Sequence, residues 1–95
     1  MPIVFARIRV SDFEVWKTAF LASEDIRRGF GLTTHAVYQD ATYERGVIVV
    51  LDAESIQKAE DYFTSGEQRQ RMARSGIERP AELWMGTAVP GLPGG

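Results

Sequence analysis

From Ile3 to Val10 the side chains alternate, with Val4, Ala6, Ile8 and Val10 on one face of an extended segment and Ile3, Phe5, Arg7 and Arg9 on the other. This period of two predicts a first strand. Ser11 followed three residues later by Glu14 is a capping-box pattern, and Val10 and Val15 are placed to close over it as a hydrophobic staple. A helix is expected to start there. Phe13, Trp16 and Phe20, flanked by Ala19, Ala22 and Ile26, recur at three- and four-residue spacing, while Lys17, Glu24, Asp25 and Arg28 lie away from them. Gly29 and Gly31 bracket the end of this helix, where a residue with positive φ is most easily supplied by glycine.

Leu32 to Tyr38 is β-favouring, and after the polar stretch Gln39 to Gly46 comes the unbroken apolar run Val47 to Leu51, so a hairpin of two strands is expected. Asp52 or Ser55 then opens a helix carrying Ile56, Ala59 and Phe63, and Ser65 with Gln68 makes a second capping box ahead of Met72, with Gly76 as the stop. Pro80 ends the helical region, Ala81 to Val89 reads as a last strand, and the tail Pro90 to Gly95 is too rich in Pro and Gly to order by itself. The order β-α-β-β-α-α-β folds as an α+β, ferredoxin-like split βαβ unit, a four-stranded antiparallel sheet with helices on one face. Strand 47–51 is apolar on both sides, so the face without helices needs a cover, most simply the sheet of an identical subunit. A homodimer is implied.

The 95 residues suffice for one core, placed here in a domain over 1–89 with a flexible tail over 90–95. Eleven basic residues against thirteen acidic ones, scattered along the chain, disfavour nucleic-acid binding. There is no cysteine, which removes disulfides, thiolate nucleophiles and thiolate-held metals. No segment approaches the roughly 18 apolar residues of a membrane span, and the expected location is the cytoplasm. No phosphate-cradling glycine pattern supports a nucleotide cofactor, and no nucleophile elbow links the Ser, His and Asp residues present.

The chain resembles the dimeric α/β-barrel proteins, especially the small members related to antibiotic biosynthesis monooxygenases and polyketide cyclases. The likeness spans residues 3–88 and rests on Val10 to Lys17, on Gly31-Leu32 followed by Val37 to Asp40, on the valine strand, and on Phe63 to Ile77. Each of these stretches also has a folding reason, so the match speaks for architecture more than for chemistry. The resemblance implies a homodimer whose two sheets form a barrel, with a ligand cavity in each subunit between sheet and helices. Quinone-forming and haem-degrading relatives use an asparagine in the site, and this chain contains none. The hairpin Ala41 to Gly46 also departs from the Pro-Asn turn common among such relatives.

His35 is the only histidine and lies on the second predicted strand, which makes it the first candidate for acid–base work. Tyr38 is the second candidate, but three residues of regular strand put it on the opposite face from His35. Trp16, Phe20, Tyr62, Phe63, Met72 and Trp84 offer surface to a flat ligand, or simply fill the core. A lone histidine without cysteine or spaced acidic partners argues against a metal site. Arg7 and Arg9 lie opposite the valine face, where they serve interface ion pairs; with the faces reversed they become anion-binding candidates.

The expected function is a cofactor-independent enzyme acting on a small, apolar, carbonyl-bearing or aromatic molecule by cyclisation or oxygenation, with His35 as acid or base. The missing asparagine tilts the choice toward cyclisation. The alternatives are a non-catalytic homodimer that binds a small molecule or assists a neighbouring enzyme, and a chain whose dimerisation is its one legible property.

Overall fold

A computed structural model describes residues 1–78 and 81–94. The elements run β1 (Ile3–Arg9), α1 (Phe13–Ala22), α2 (Glu24–Gly29), β2 (Leu32–Gln39), β3 (Gly46–Ala53), α3 (Ile56–Thr64), α4 (Gly66–Arg74) and β4 (Glu82–Gly86). The four strands form one sheet in the order β2-β3-β1-β4, every neighbouring pair antiparallel. This is the ferredoxin-like split βαβ arrangement that the alternation predicts. Four corrections are local. The first helix is capped by Asp12, whose side chain accepts from the Val15 amide, and Ser11 instead donates to the carbonyl of Gly76.

The second correction is a break in what the periodicity presents as one helix. The Ser23 hydroxyl donates to Ala19 O at 2.8 Å and to Phe20 O at 3.2 Å, taking up carbonyls that a continuing helix would have used. Third, β4 is shorter than the stretch 81–89. Fourth, β2 carries a register shift between Thr34 and Ala36, the two-against-one pairing of a bulge. The proposed stop at Pro80 lies outside the described residues.

The register sorts the sheet into two faces. Val4, Ala6 and Ile8 of β1 stand opposite Leu51, Val49 and Val47 of β3, and with Val10 they are buried beneath the helices. The other face presents Phe5, Arg7 and Arg9 beside Val50, Ile48 and Trp84. Gly76, at φ +90, lets the chain turn from α4 back to β1, where the Ser11 amide donates to its carbonyl at 2.8 Å. A Cβ there would meet the Ser11 hydroxyl at 2.8 Å, so both the conformation and the space call for glycine.

The β2–β3 hairpin is anchored by Asp40, whose buried carboxylate accepts from Arg7 Nε at 2.6 Å and from the Thr42 amide at 2.7 Å. Arg7 thus pairs within its own chain, and Arg9 stacks on Tyr43 with its guanidinium 3.7 Å from the ring centre. The Arg7 hydrogen bond, followed by the Thr42 amide, holds the Asp40 carboxyl below its ordinary value of 3.8. A depressed folded-state value stabilises the protein above the unfolded value and loses that contribution as pH falls through the folded one. Asp40→Asn should lower the melting temperature at neutral pH and flatten the loss of stability below about pH 4. Thermal melts between pH 2 and 7 check this, and equal acid limbs for both proteins would contradict it.

Candidate functional site

The helices do not close flat on the sheet. Between them lies a cavity with about 80 Å³ of space open to the centre of a water molecule, several times the roughly 10–15 Å³ that one water needs. Its floor is Ala6, Ile8, Val49 and Leu51, and its walls come from α1, α2, α3 and α4. Trp16, 3% exposed, stacks on Phe20 with ring centres 4.9 Å apart, and Tyr62, 5% exposed, meets Phe63 edge to face at 5.0 Å. Met72 completes the group. Five of the six ligand-facing residues expected from the sequence therefore come together, because helical spacing puts each on the face its helix buries.

The polar groups of the cavity are Ser23, Arg27, Tyr62, Arg71 and Ser75. Arg27 is 3% exposed, donates to the Ser23 hydroxyl at 3.0 Å and to Phe20 O at 2.8 Å, and lies 3.8 Å from the centre of the Phe20 ring. Its Nε has no partner, and the same is true of the buried Nε of Arg71. Burial works against the charge on Arg27, offset by the neighbouring Tyr62 and Glu24, yet a guanidinium remains protonated at any physiological pH. Burial also raises the Tyr62 phenol above its ordinary 10.0, opposed by the nearby Arg27 and Arg71. Tyr62 is thus a neutral hydroxyl at pH 7, flanked by two cations.

The candidates on β2 and β4 stand elsewhere. His35 falls at the bulge, 58% exposed in its side chain, with Nδ1 3.2 Å from Asp52 Oδ2. Asp52 pairs with Ile3 and Thr33 on the face away from the helices. Tyr38, opposite Ile48, is on that face too, 58% exposed, and Trp84, opposite Phe5, is 55% exposed there. The bulge is the physical reason that His35 and Tyr38 share a side despite three residues of separation. None of the three lines the cavity. Trp84 instead borders a shallow outer groove with Phe5, Arg7 and Ile48.

Arg27 and Arg71 are not among the residues the sequence singles out, since a charged side chain on a helix ordinarily faces solvent. A signal was present: Trp16, Phe20, Ser23 and Arg27 follow at steps of four, three and four, which continues the buried stripe through an arginine. Among the described residues no group of three or more His, Cys, Asp or Glu could hold a metal ion, and no helix is long and apolar enough to cross a membrane.

No protein-family model matches the sequence, and no curated protein matches it. Solved structures do. A candidate antibiotic biosynthesis monooxygenase from Bordetella bronchiseptica superposes with a TM-score of 0.72 at 14% identity, covering 93% of this chain and 96% of that one. SnoaB, a cofactor-independent oxygenase from Streptomyces nogalater solved as a single-residue variant, gives 0.67 at 12% identity, with 97% of each chain covered. A second candidate antibiotic biosynthesis monooxygenase, from Deinococcus radiodurans, gives 0.66 at 9% identity over 97% of this chain and 96% of that one. At such identities the likeness is one of architecture. The chain has the ferredoxin-like α+β fold of the antibiotic biosynthesis monooxygenase-like structures.

Proposed function

We propose that the protein is a small-molecule enzyme of the oxygenase or cyclase kind that works without a bound cofactor, holding an apolar carbonyl-bearing or aromatic substrate between sheet and helices. The observation that carries this reading is the aromatic cavity with the neutral Tyr62 hydroxyl between Arg27 and Arg71. A substrate phenol or enol placed there ionises more readily, because the two guanidiniums stabilise its anion in a site of low dielectric. Its proton leaves to solvent through the open side of the cavity. The enolate carbon then attacks a second carbonyl of the same molecule, with Tyr62 donating to the developing alkoxide. In the oxygenase version, a phenolate reduces dioxygen, one oxygen atom entering the ring to give a quinone and the other leaving as water. The substrate itself supplies all four electrons that dioxygen takes up.

The outer sheet face supports a homodimer. Phe5, Tyr38 and Trp84 are exposed together on it beside Ile48, an apolar surface of the sort that marks an association site. Filling the cavity tests the enzyme reading. Ala19→Trp, at a half-buried wall position, should lower turnover of a panel of phenols and β-diketones at least tenfold. The melting temperature should change by only a few degrees. Full turnover in a folded Ala19→Trp protein would place the chemistry elsewhere.

A second reading, a non-catalytic small-molecule-binding dimer, is favoured by one observation. No described residue lining the cavity is a His, Asp or Glu, so none is an ordinary base near neutral pH. Binding of panel compounds without any conversion would select it.

A further inference from the structure

The cavity carries more positive charge than a transient oxyanion needs. Two guanidiniums border it, that of Arg71 paired with Glu67 at 3.5 Å, and among the described residues no carboxylate lines the cavity itself. Two exposed arginines elsewhere are matched, Arg45 with Glu78 at 3.3 Å and Arg28 with Glu24 at 3.6 Å. Arg27, the most deeply buried arginine among the described residues, has no ion pair. Two of its five N–H groups are used, on Ser23 and Phe20 O, and the buried Nε has no partner. Taking a charge out of water without a counter-charge costs several kcal/mol unless something restores it. The stacked Phe20 ring restores part. A carboxylate would restore the rest, since its two oxygens match the fork of donors that a guanidinium presents.

Resting on the reading of this cavity as a small-molecule site, we propose that Arg27, supported by Arg71, is a carboxylate subsite. The ligand is then a small apolar monocarboxylate, its hydrocarbon or aromatic part against Trp16, Phe20 and Phe63 and its carboxylate on the Arg27 guanidinium where it borders the cavity. Size is compatible with this assignment, because the cavity holds space for several water molecules and is lined mainly by apolar side chains. Chemistry agrees as well: a neutral amide of the same shape can accept from one donor but leaves the Arg27 charge without a counter-charge.

The test compares acids with their neutral isosteres. Trp84→Phe leaves Trp16 as the one tryptophan, so its fluorescence reports the cavity. Phenylacetate, benzoate and hexanoate are titrated against phenylacetamide, benzamide and hexanamide. At least one acid should bind ten times or more tightly than its amide, and Arg27→Gln should remove that preference while leaving amide affinity within about twofold. Arg71→Gln, at a half-exposed position, should reduce the preference and serves if Arg27→Gln does not fold. Equal affinity of acids and amides would overturn the carboxylate subsite and leave the cavity reading standing. No response to any of the six compounds would overturn both.

Discussion

Val49→Lys should leave no folded protein, whereas Ile48→Lys, one residue away, should leave a folded monomer. Val49 is 4% exposed, faces the helices from the central strand β3 and lines the cavity floor. Lysine there is a charge without a partner, beside Arg27 and Arg71 rather than an acid. The cost, about 3–5 kcal/mol for an uncompensated buried charge, is comparable with the whole stability of a domain this size, roughly 5–15 kcal/mol. Ile48 points the other way and is half-buried among Phe5, Tyr38 and Trp84. A lysine can reach water there in one subunit, but not between two packed sheets. Sedimentation of the parent near 21 kDa, twice the 10.6 kDa chain, and of Ile48→Lys near half that mass, is the expected pair of results. Normal yield and melting temperature for Val49→Lys would refute the assignment of faces, and a monomeric parent at micromolar concentration would refute the dimer.

Tyr62→Phe should lower turnover by about two to four orders of magnitude, the range associated with losing a positioned proton donor, and change KM little. The ring contacts with Phe30 and Phe63 remain when only the hydroxyl goes, so the melting temperature should move by no more than a few degrees. A loss in kcat at constant KM marks an interaction made in the transition state rather than in binding. The companion variant is His35→Ala. Because His35 lies outside the cavity on the exposed Asp52 pair, its removal should leave turnover per folded molecule within about twofold. If instead His35→Ala costs two orders of magnitude and Tyr62→Phe costs nothing, the acid–base role returns to His35 and the chemistry moves to the outer sheet face.

The strands, the helices and the face each buries follow from spacing alone, since a period of two or of three to four is a property of neighbours along the chain. Val4, Ala6 and Ile8 could be set on one face of β1, and Trp16, Phe20, Tyr62, Phe63 and Met72 on the apolar stripes of their helices, for that reason, while the structure decides that the helices cover the Val4 face. The family likeness rested on the same signals and carried the same content, a fold. Two things were decided only in three dimensions. One is the bulge at His35, where a single extra residue swings His35 and Tyr38 to one side. Its cause lies in how β2 pairs with β3, and strand alternation cannot register it. The other is the charge of the cavity: Arg27 and Arg71 sit on different helices, far apart in sequence, and only the placement of α2, α3 and α4 around one cavity brings both near Tyr62 with no acid among the described lining residues. Periodicity tells which way a side chain faces along its own element, and the tertiary structure decides what it faces.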